Sequence, residues 1–187
     1  MYDDFVFEAL LITASFAALQ CLATPWSWII GGSLLLLCLP GVLAMRSAAP
    51  FVTTSRKTMC AMLGLAQIKA GERVYDLGCG DGRIVFAASK QGAIATGYEM
   101  SIPAYLIAKI RSCMHPHASI LYGNLWKQDY RDADVIFCYF LKDTMQGFHR
   151  RIWPSLKTGC RVVSHAFTID GIEATARDGD AVLYVKR

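Results

Sequence analysis

The chain has 187 residues, of which 54% are apolar and 18% charged, and its net charge is +4. Soluble domains contain about 25% charged residues. The apolar excess excludes a disordered chain and calls for an explanation. The seven cysteines form no C-x-x-C pair and are odd in number. This pattern favours a reducing compartment over a disulfide framework or a zinc knuckle.

The first 45 residues differ in charge from the rest of the chain. Their net charge is −3 and they lack Lys and Arg, whereas residues 46–187 carry +7. Residues 9–45 contain no charged side chain over 37 positions. A membrane-crossing helix needs about 20 apolar residues, and a single helix of this whole tract would be about 55 Å long. We therefore expect two helices, about Phe5–Ala23 and Ser27–Met45, with a break at Pro25.

This uncharged tract predicts a membrane anchor over residues 1–45, with two transmembrane helices forming a hairpin. The alternatives are a single crossing and a buried hairpin within a soluble fold. Arg46, Arg56 and Lys57 follow the second helix, and positively charged residues stay on the cytoplasmic side of a membrane. We therefore expect a membrane protein whose remaining residues face the cytoplasm, with the lipid bilayer as a partner of its N-terminal segment.

After a linker, residues 58–187 alternate between helical and strand patterns. Such alternation predicts an α/β fold, here a Rossmann-like, doubly wound and mainly parallel seven-stranded sheet. Two short strands around Asp178-Gly179-Asp180 predict an antiparallel C-terminal edge. The expected elements before them are helix Thr58–Ala66, strand Arg73–Leu77, helix Arg83–Lys90, strand Ala93–Tyr98, helix Pro103–Cys113, strand Ser119–Tyr122, strand Val135–Phe140, helix Phe148–Leu156 and strand Arg161–Ala166.

A glycine-rich loop follows the first of these strands. It begins at Asp76 and contains Gly78, Gly80 and Gly82, which allow the backbone to turn sharply and to approach a ligand closely. Ligands bind beyond the carboxyl ends of such strands. Glu99 ends the second strand, 23 residues after Asp76. A carboxylate at that place can accept hydrogen bonds from both hydroxyls of a ribose.

Three ligand classes compete for this loop. A phosphate-binding P-loop needs a lysine that this loop lacks, and the dinucleotide pattern G-x-G-x-x-G fails because Arg83 stands at its third glycine. The carboxylate of Asp76 is badly placed for a pyrophosphate but well placed for a cation. S-adenosylmethionine carries a sulfonium and an ammonium and has no phosphate, so the D-x-G-x-G-x-G pattern with Glu99 favours it as the cofactor.

These residues resemble the class I, seven-β-strand S-adenosylmethionine-dependent methyltransferases. Flanking segments narrow the resemblance: Pro50–Thr54, Gly123–Trp126, Ala133–Ile136 and Arg161–His165. They are similar to a small protein-lysine methyltransferase family. It includes an archaeal enzyme of broad specificity and membrane-anchored mitochondrial enzymes that act on the ATP synthase c-ring protein and the adenine nucleotide translocase. The resemblance covers about residues 50–187.

The resemblance implies a cofactor site built from the glycine loop and the ends of the next two strands. In it the loop holds the methionine part of the cofactor, Glu99 binds the ribose, and Asn124 and Leu125 lie near the adenine. Thr54 belongs to a linker and cofactor-closing segment, residues 46–57, that precedes the methyltransferase domain at 58–187. The full set of implied cofactor-binding residues is Thr54, Asp76, Gly78, Gly80, Gly82, Glu99, Asn124 and Leu125.

The transfer step constrains the acceptor site. A lysine amine must lose its proton before it can attack, and with a free pKa of about 10.4 this costs about 4 kcal/mol near pH 7.4. An apolar channel beside the cationic cofactor lowers that pKa, so no dedicated base is obligatory. Tyr139 and Phe140 follow the fourth strand and are candidates for the wall of a lysine channel, with packing in the core as the alternative.

We therefore predict an S-adenosylmethionine-dependent methyltransferase that acts on a protein lysine, with a protein substrate that is itself associated with the membrane. The alternatives are a small-molecule or lipid methyltransferase and a non-catalytic, cofactor-binding membrane adaptor. The fourth strand lacks the Asn/Asp-Pro-Pro-Tyr/Phe pattern of enzymes that methylate planar nitrogens, and no basic–aromatic stripe is present. We expect neither a nucleic-acid partner nor a metal site.

Overall fold

The computed structural model describes residues 28–36 and 54–187, which belong to two units of the chain divided after Leu39. Residues 28–36 are helical and fall within the second helix expected from the sequence. Among the described residues, no helix combines the length and the apolar character that a membrane crossing requires. The rest of the predicted anchor, and the linker up to residue 53, lie outside the described residues.

Residues 54–187 fold into seven strands and four α-helices, with short 3₁₀ turns at Leu125–Lys127 and Trp153–Ser155. Most elements begin and end within one or two residues of the positions expected from the sequence. In chain order they are α1 (Arg56–Ala66), β1 (Arg73–Leu77), α2 (Arg83–Lys90), β2 (Ile94–Glu99), α3 (Ile102–Ser112), β3 (Ala118–Tyr122), β4 (Val135–Cys138), α4 (Lys142–Arg151), β5 (Arg161–His165), β6 (Ala176–Asp178) and β7 (Ala181–Val185).

The strands form one sheet in the order β3-β2-β1-β4-β5-β7-β6. Strands β1 to β5 are parallel, and β7 pairs antiparallel with both β5 and β6, which confirms the expected Rossmann-like sheet with an antiparallel edge. The strand order reverses between β1 and β4. Ligands bind at such a reversal, so the loops that follow β1 and β4 border the predicted crevice.

Alternating side chains of the strands supply a separate core on each face of the sheet. Phe137 and Val163 pack with residues of α1, α2 and α3, whereas Ile136 and Val162 pack with residues of α4. A sheet covered on both faces needs strands that are apolar throughout, and β4 is buried at every position. The centre of the sheet, whose carboxyl ends support the site, is therefore fully covered by side chains on both faces.

The helix predicted over Phe148–Leu156 begins too late. The structure has α4 at Lys142–Arg151, followed by the 3₁₀ turn at Trp153–Ser155. The first turn of α4 is polar, and Gly147 lies inside the helix, so the local sequence gives a weak helical signal. A Cβ at Gly147 would lie 3.3 Å from the Trp126 ring. The helix thus packs closely against a tryptophan that is distant in the sequence, a contact that the local sequence does not reveal.

Candidate functional site

The glycine loop connects β1 to α2 at the reversal of strand order. Gly78, Gly80 and Gly82 have φ values of 84°, 55° and 79°, a region that other residues rarely adopt. The backbone N–H groups of Gly78 and Cys79 both donate to the carbonyl oxygen of Tyr98, each at 3.0 Å. The loop is thus held against the carboxyl end of β2, and its three predicted glycines lie together.

Gly97 of β2 is a further site residue that was not predicted from the sequence. It lies opposite Asp76 in the sheet register. A Cβ at Gly97 would lie 2.7 Å from both Cβ and Sγ of Cys79 and 2.8 Å from Cγ2 of Val85, so only glycine lets the loop pack directly on the strand. An isolated glycine inside a strand pattern is the available signal, because it often marks a close backbone approach.

Glu99 is a buried carboxylate that organises the loop from the side of β2. Its Oε2 accepts a hydrogen bond from Gly80 N at 2.9 Å, and its Oε1 accepts from Met100 N at 2.8 Å and Ser101 N at 2.7 Å. A carboxylate has about four acceptor positions, so three are filled. Binding both hydroxyls of a ribose therefore requires Glu99 to release or share one of these three bonds. The bond from Gly80 N comes from the glycine loop, which is the segment predicted to face the ligand.

Asp76 is buried at the carboxyl end of β1, and within residues 54–187 no hydrogen bond stabilises its charged form. Burial, reinforced by the nearby charges of Glu99 and Asp81, raises the pKa of Asp76 to about 8. A phosphate here would add to this repulsion, whereas a sulfonium or ammonium group would relieve it. The residues around the loop therefore fit S-adenosylmethionine.

A polar network behind the loop brings Thr54 to the site. Nη1 of Arg83 donates a hydrogen bond to the carbonyl oxygen of Thr54 at 2.6 Å. Its Nε and Nη2 donate to the two carboxylate oxygens of Asp81 at 2.9 and 3.0 Å. Nη1 of Arg111, at the end of α3, also donates to Asp81 Oδ2 at 2.7 Å. Burial alone would raise the pKa of Asp81, but these guanidinium groups hold it below its ordinary value.

This network joins the segment before α1, the glycine loop and α3, which are far apart in the chain. In the sequence, Arg83 stands out only as a departure from the dinucleotide pattern. No local signal there identifies a partner for it, because Thr54 lies 29 residues earlier.

The predicted adenine residues lie in the turn after β3. Gly123 N donates to the main-chain carbonyl of Glu99 at 3.1 Å, which places this turn beside the predicted ribose site. The side-chain oxygen of Asn124 accepts from Trp126 N at 2.9 Å and begins the 3₁₀ turn, and Leu125 is buried. The turn therefore presents its backbone and the amide of Asn124 at the same edge of the sheet as the glycine loop.

The two candidates for a lysine channel are separated by the structure. Phe140 is buried and packs against Trp126 and Phe148, with ring centroids 6.2 and 6.3 Å apart, so its ring belongs to the core. Tyr139 is half-buried and meets the ring of His165 edge-on, with centroids 4.2 Å apart. Of this pair of candidates, only Tyr139 keeps part of its side chain exposed at the carboxyl end of β4.

His165 is another residue at this edge that was not among the predicted site residues. It ends β5, next to β4, and burial lowers its pKa although the charge of Asp180 raises it. Its buried Nδ1 has no hydrogen-bond partner among the described residues. Since β4 and β5 end at the same edge, Tyr139 and His165 lie together at that edge, on the other side of β1 from Glu99.

Comparison with known proteins agrees with this geometry. Residues 76–176 match the family model described as the ANTKMT methyltransferase domain. The chain is 35% identical over 127 residues to a protein-lysine N-methyltransferase of Saccharolobus islandicus, covering 65% of this chain and 79% of that protein. It is 31% identical over 140 residues to the adenine nucleotide translocase lysine N-methyltransferase of Mus musculus, covering 73% of this chain and 61% of the mouse protein.

A solved structure supports the cofactor. The RNA methyltransferase from Salinibacter ruber, in complex with S-adenosyl-L-homocysteine, superposes with a TM-score of 0.65 at 28% sequence identity, covering 71% of this chain and 91% of that one. S-Adenosylhomocysteine is what remains of the donor after its methyl group has been transferred. The family match covers more than half of the chain, and the carboxylate-lined loop fits the same cofactor. The chain belongs to the family of ANTKMT methyltransferase domains and is an S-adenosylmethionine-dependent methyltransferase.

Proposed function

We propose that this enzyme methylates the side-chain amine of lysine in a membrane-associated protein. The observation that carries the proposal is the pair of buried carboxyl groups of Asp76 and Glu99 at the glycine loop, in a chain whose archaeal relative is named a protein-lysine N-methyltransferase. The crevice accounts for the methyl donor, and the relatives indicate the acceptor class. Methyl transfer to other classes of acceptor uses the same donor site, so the acceptor must be tested directly.

Different residues of the chain would bind the methyl donor and the lysine acceptor. The donor supplies an activated methyl group: the bond from its carbon to sulfur breaks as the bond to the lysine nitrogen forms. Asp76 and the glycine loop would bind the cationic end of the donor, and Glu99 would orient its ribose. The protein thereby contributes position rather than covalent chemistry.

The acceptor lysine would enter between the ends of β4 and β5. Tyr139 and His165 offer a half-buried aromatic and imidazole surface there. An ammonium is disfavoured in such surroundings next to the donor's positive charge, so the neutral amine needed for attack becomes more populated. This accounts for deprotonation of a group whose free pKa is about 10.4 without a dedicated base.

Membrane association would be provided by the N-terminal segment. Its 37 uncharged positions suit a lipid bilayer, and the +7 charge of residues 46–187 suits the cytoplasmic side. Tethering at a membrane would concentrate the enzyme on substrates held in the same membrane. A cytoplasmic catalytic domain that reaches membrane-associated proteins follows from this arrangement.

The test is transfer of labelled methyl groups from S-adenosylmethionine to membrane fractions by the full chain. We expect label in protein, recovered as methyl-lysine by mass spectrometry, and its loss in Asp76→Asn. Asp132→Asn, which changes an exposed carboxylate outside the crevice, should retain transfer. Label found only in lipid or small molecules would reject a lysine acceptor. Binding of S-adenosylhomocysteine without any transfer would instead indicate a non-catalytic adaptor.

A further inference from the structure

Helix α3 has an unusual distribution of apolar side chains. Its sheet-facing side is made of small residues, with Ala104 and Ala108 buried. The opposite side is apolar as well, and a helix on a protein surface normally turns charged and polar residues outward. We call this outer surface the α3 apolar face; its residues and exposed fractions are Leu106 (49%), Ile107 (52%), Ile110 (73%) and Met114 (76%).

The α3 apolar face continues onto the neighbouring edge of the sheet. Strand β3 is the edge strand beside β2. Its Tyr122 is exposed and its ring meets that of Tyr105 on α3, with centroids 5.6 Å apart. Contiguous apolar patches on a protein surface mark binding sites, and tyrosine is common where an apolar surface meets water. The patch is therefore a candidate docking surface.

The charges around this face identify its partner. From Met100 to Gln128 the sequence has 29 residues without a carboxylate, while Lys109 and Lys127 are exposed. Aliphatic residues flanked by lysines, with no acidic residue in this stretch of chain, suit a membrane surface with anionic headgroups. Asp81 also contacts α3, but its carboxylate is paired with Arg83 and Arg111. A second copy of the chain fits poorly, because a twofold contact would bring Lys109 towards its own counterpart with no carboxylate from this stretch.

The position of the face separates it from the acceptor site. Helix α3 begins after Glu99, at the carboxyl edge of the sheet, and the chain then returns to Ala118 at the opposite edge. The face from Leu106 to Met114 therefore runs away from the crevice. A protein docked there would not bring its lysine to the donor.

We infer that the α3 apolar face docks the catalytic domain onto an anionic lipid surface. The outer backbone groups of β3 pair with no other strand of residues 54–187 and must stay hydrated, so the contact lies in the headgroup region and not in the hydrocarbon core. This inference extends the proposed membrane association from the N-terminal segment to the domain itself, and it rests on that proposal. It also orients the crevice, because the flank of the domain faces the membrane while the crevice opens beside it.

Two native cysteines provide a matched test. Cys113 directly follows α3 beside the face and Cys60 lies in α1, and both are exposed. The full chain would be mixed with phosphatidylcholine vesicles with or without phosphatidylglycerol, then labelled with a membrane-impermeant maleimide and read by peptide mass spectrometry. We expect several-fold slower labelling of Cys113 on the anionic vesicles and an unchanged rate at Cys60. Ile110→Glu should restore labelling of Cys113, and Leu141→Glu, at another exposed leucine that lies next to α4 and outside the face, should not.

The possible failures are distinguishable. If the chain floats with the vesicles but Cys113 is labelled as fast as in solution, the inference is wrong while the proposed membrane association stands. If the chain does not float with either kind of vesicle, both are wrong. Protection of Cys113 that grows with protein concentration in the absence of lipid would show that a second copy covers the face, and this also overturns the inference.

Discussion

The chemistry of the site depends on single side chains, above all on Asp76. This carboxyl group is buried without a hydrogen bond from the described residues, beside two other carboxylates. Such a group weakens the fold when it is ionised and strengthens the binding of a cation. The donor carries a sulfonium and an ammonium group. When it binds, these cations offset the repulsion between Asp76 and the neighbouring carboxylates that remains in the folded protein without the donor.

Replacing Asp76 by asparagine should separate stability from binding. The pKa of Asp76 in the folded protein, about 8, lies above its ordinary value. The folded state therefore holds the proton more tightly than the unfolded state, and stability falls as the pH rises from 4 through 8. Asp76→Asn should raise the free energy of unfolding without cofactor by about 3–5 kcal/mol more at pH 9 than at pH 5, and it should abolish cofactor binding.

Urea unfolding at both pH values and calorimetry with S-adenosylhomocysteine would measure these effects. Asp132→Asn, at an exposed ion pair, is the control and should show no such pH dependence. An equal effect of Asp76→Asn at pH 5 and pH 9 would contradict the assignment.

Arg83 and Arg111 offer a second comparison between single residues. Both bind Asp81, but Arg83 alone of the two is bonded to the Thr54 carbonyl. If this link positions the segment before α1 against the glycine loop, Arg83→Lys should weaken cofactor binding by about 1–2 kcal/mol, and Arg111→Lys should weaken it less. Hydrogen exchange of residues 54–58 should accelerate in Arg83→Lys alone. Equal effects of the two substitutions would mean that only the charge near Asp81 matters.

At the scale of elements, the sequence predicts the bounds that depend on local patterns and misses features that depend on long-range packing. Strand β1 and helix α2 begin and end where the sequence indicates, because a short apolar run and a glycine loop are local signals. Helix α4 begins earlier than expected, because its polar first turn and Gly147 give a weak local helical signal, while its contact with Trp126 is long-range. Gly97 was missed for the same reason: its role is visible only when the loop lies against β2.

Two glycine substitutions test whether β2 positions the loop. Gly97→Ala would place a Cβ 2.7 Å from Cys79, and overpacking of this kind costs about 1–3 kcal/mol. We expect lower stability together with weaker cofactor binding, because the loop must move. Gly64→Ala is the matched control: it lies in α1 with nothing within 4 Å of a new Cβ, and it should stabilise the protein by up to about 1 kcal/mol. Thermal unfolding and calorimetry distinguish the two; unchanged binding in Gly97→Ala would show that β2 does not position the loop.

At the scale of the whole molecule, one arginine connects the beginning of the domain with its last parallel strand. Nη1 of Arg161, in β5, donates to the carbonyls of Ala66 and Gln67 at 2.7 and 2.9 Å, and its Nη2 lies 2.6 Å from Glu72 Oε1. The ion pair is largely buried, and its two members lie at opposite ends of the domain's sequence. Removing one member of a buried pair leaves the other charge uncompensated.

Arg161→Ala should therefore destabilise the domain by about 3–5 kcal/mol. Arg73→Ala, which breaks the half-exposed pair with Asp132, should cost about 0–1 kcal/mol, as surface pairs do. The difference between the two free energies of unfolding in urea is the measurement. Similar values would mean that Arg161 is not a structural link between α1 and β5.

The sequence by itself determined the class of fold and the methyl donor. The signals for both lie in short stretches of chain and can be interpreted from the sequence alone. They are the strand and helix periods, the glycine spacing, and the carboxylates of Asp76 and Glu99. Only the tertiary structure placed Phe140 in the core, Thr54 beside Arg83 and His165 against Tyr139. Each of these contacts joins residues that are distant in the chain and meet only when the sheet is assembled. Packing and hydrogen bonding act through space, so such contacts produce no regular pattern of residues in the sequence.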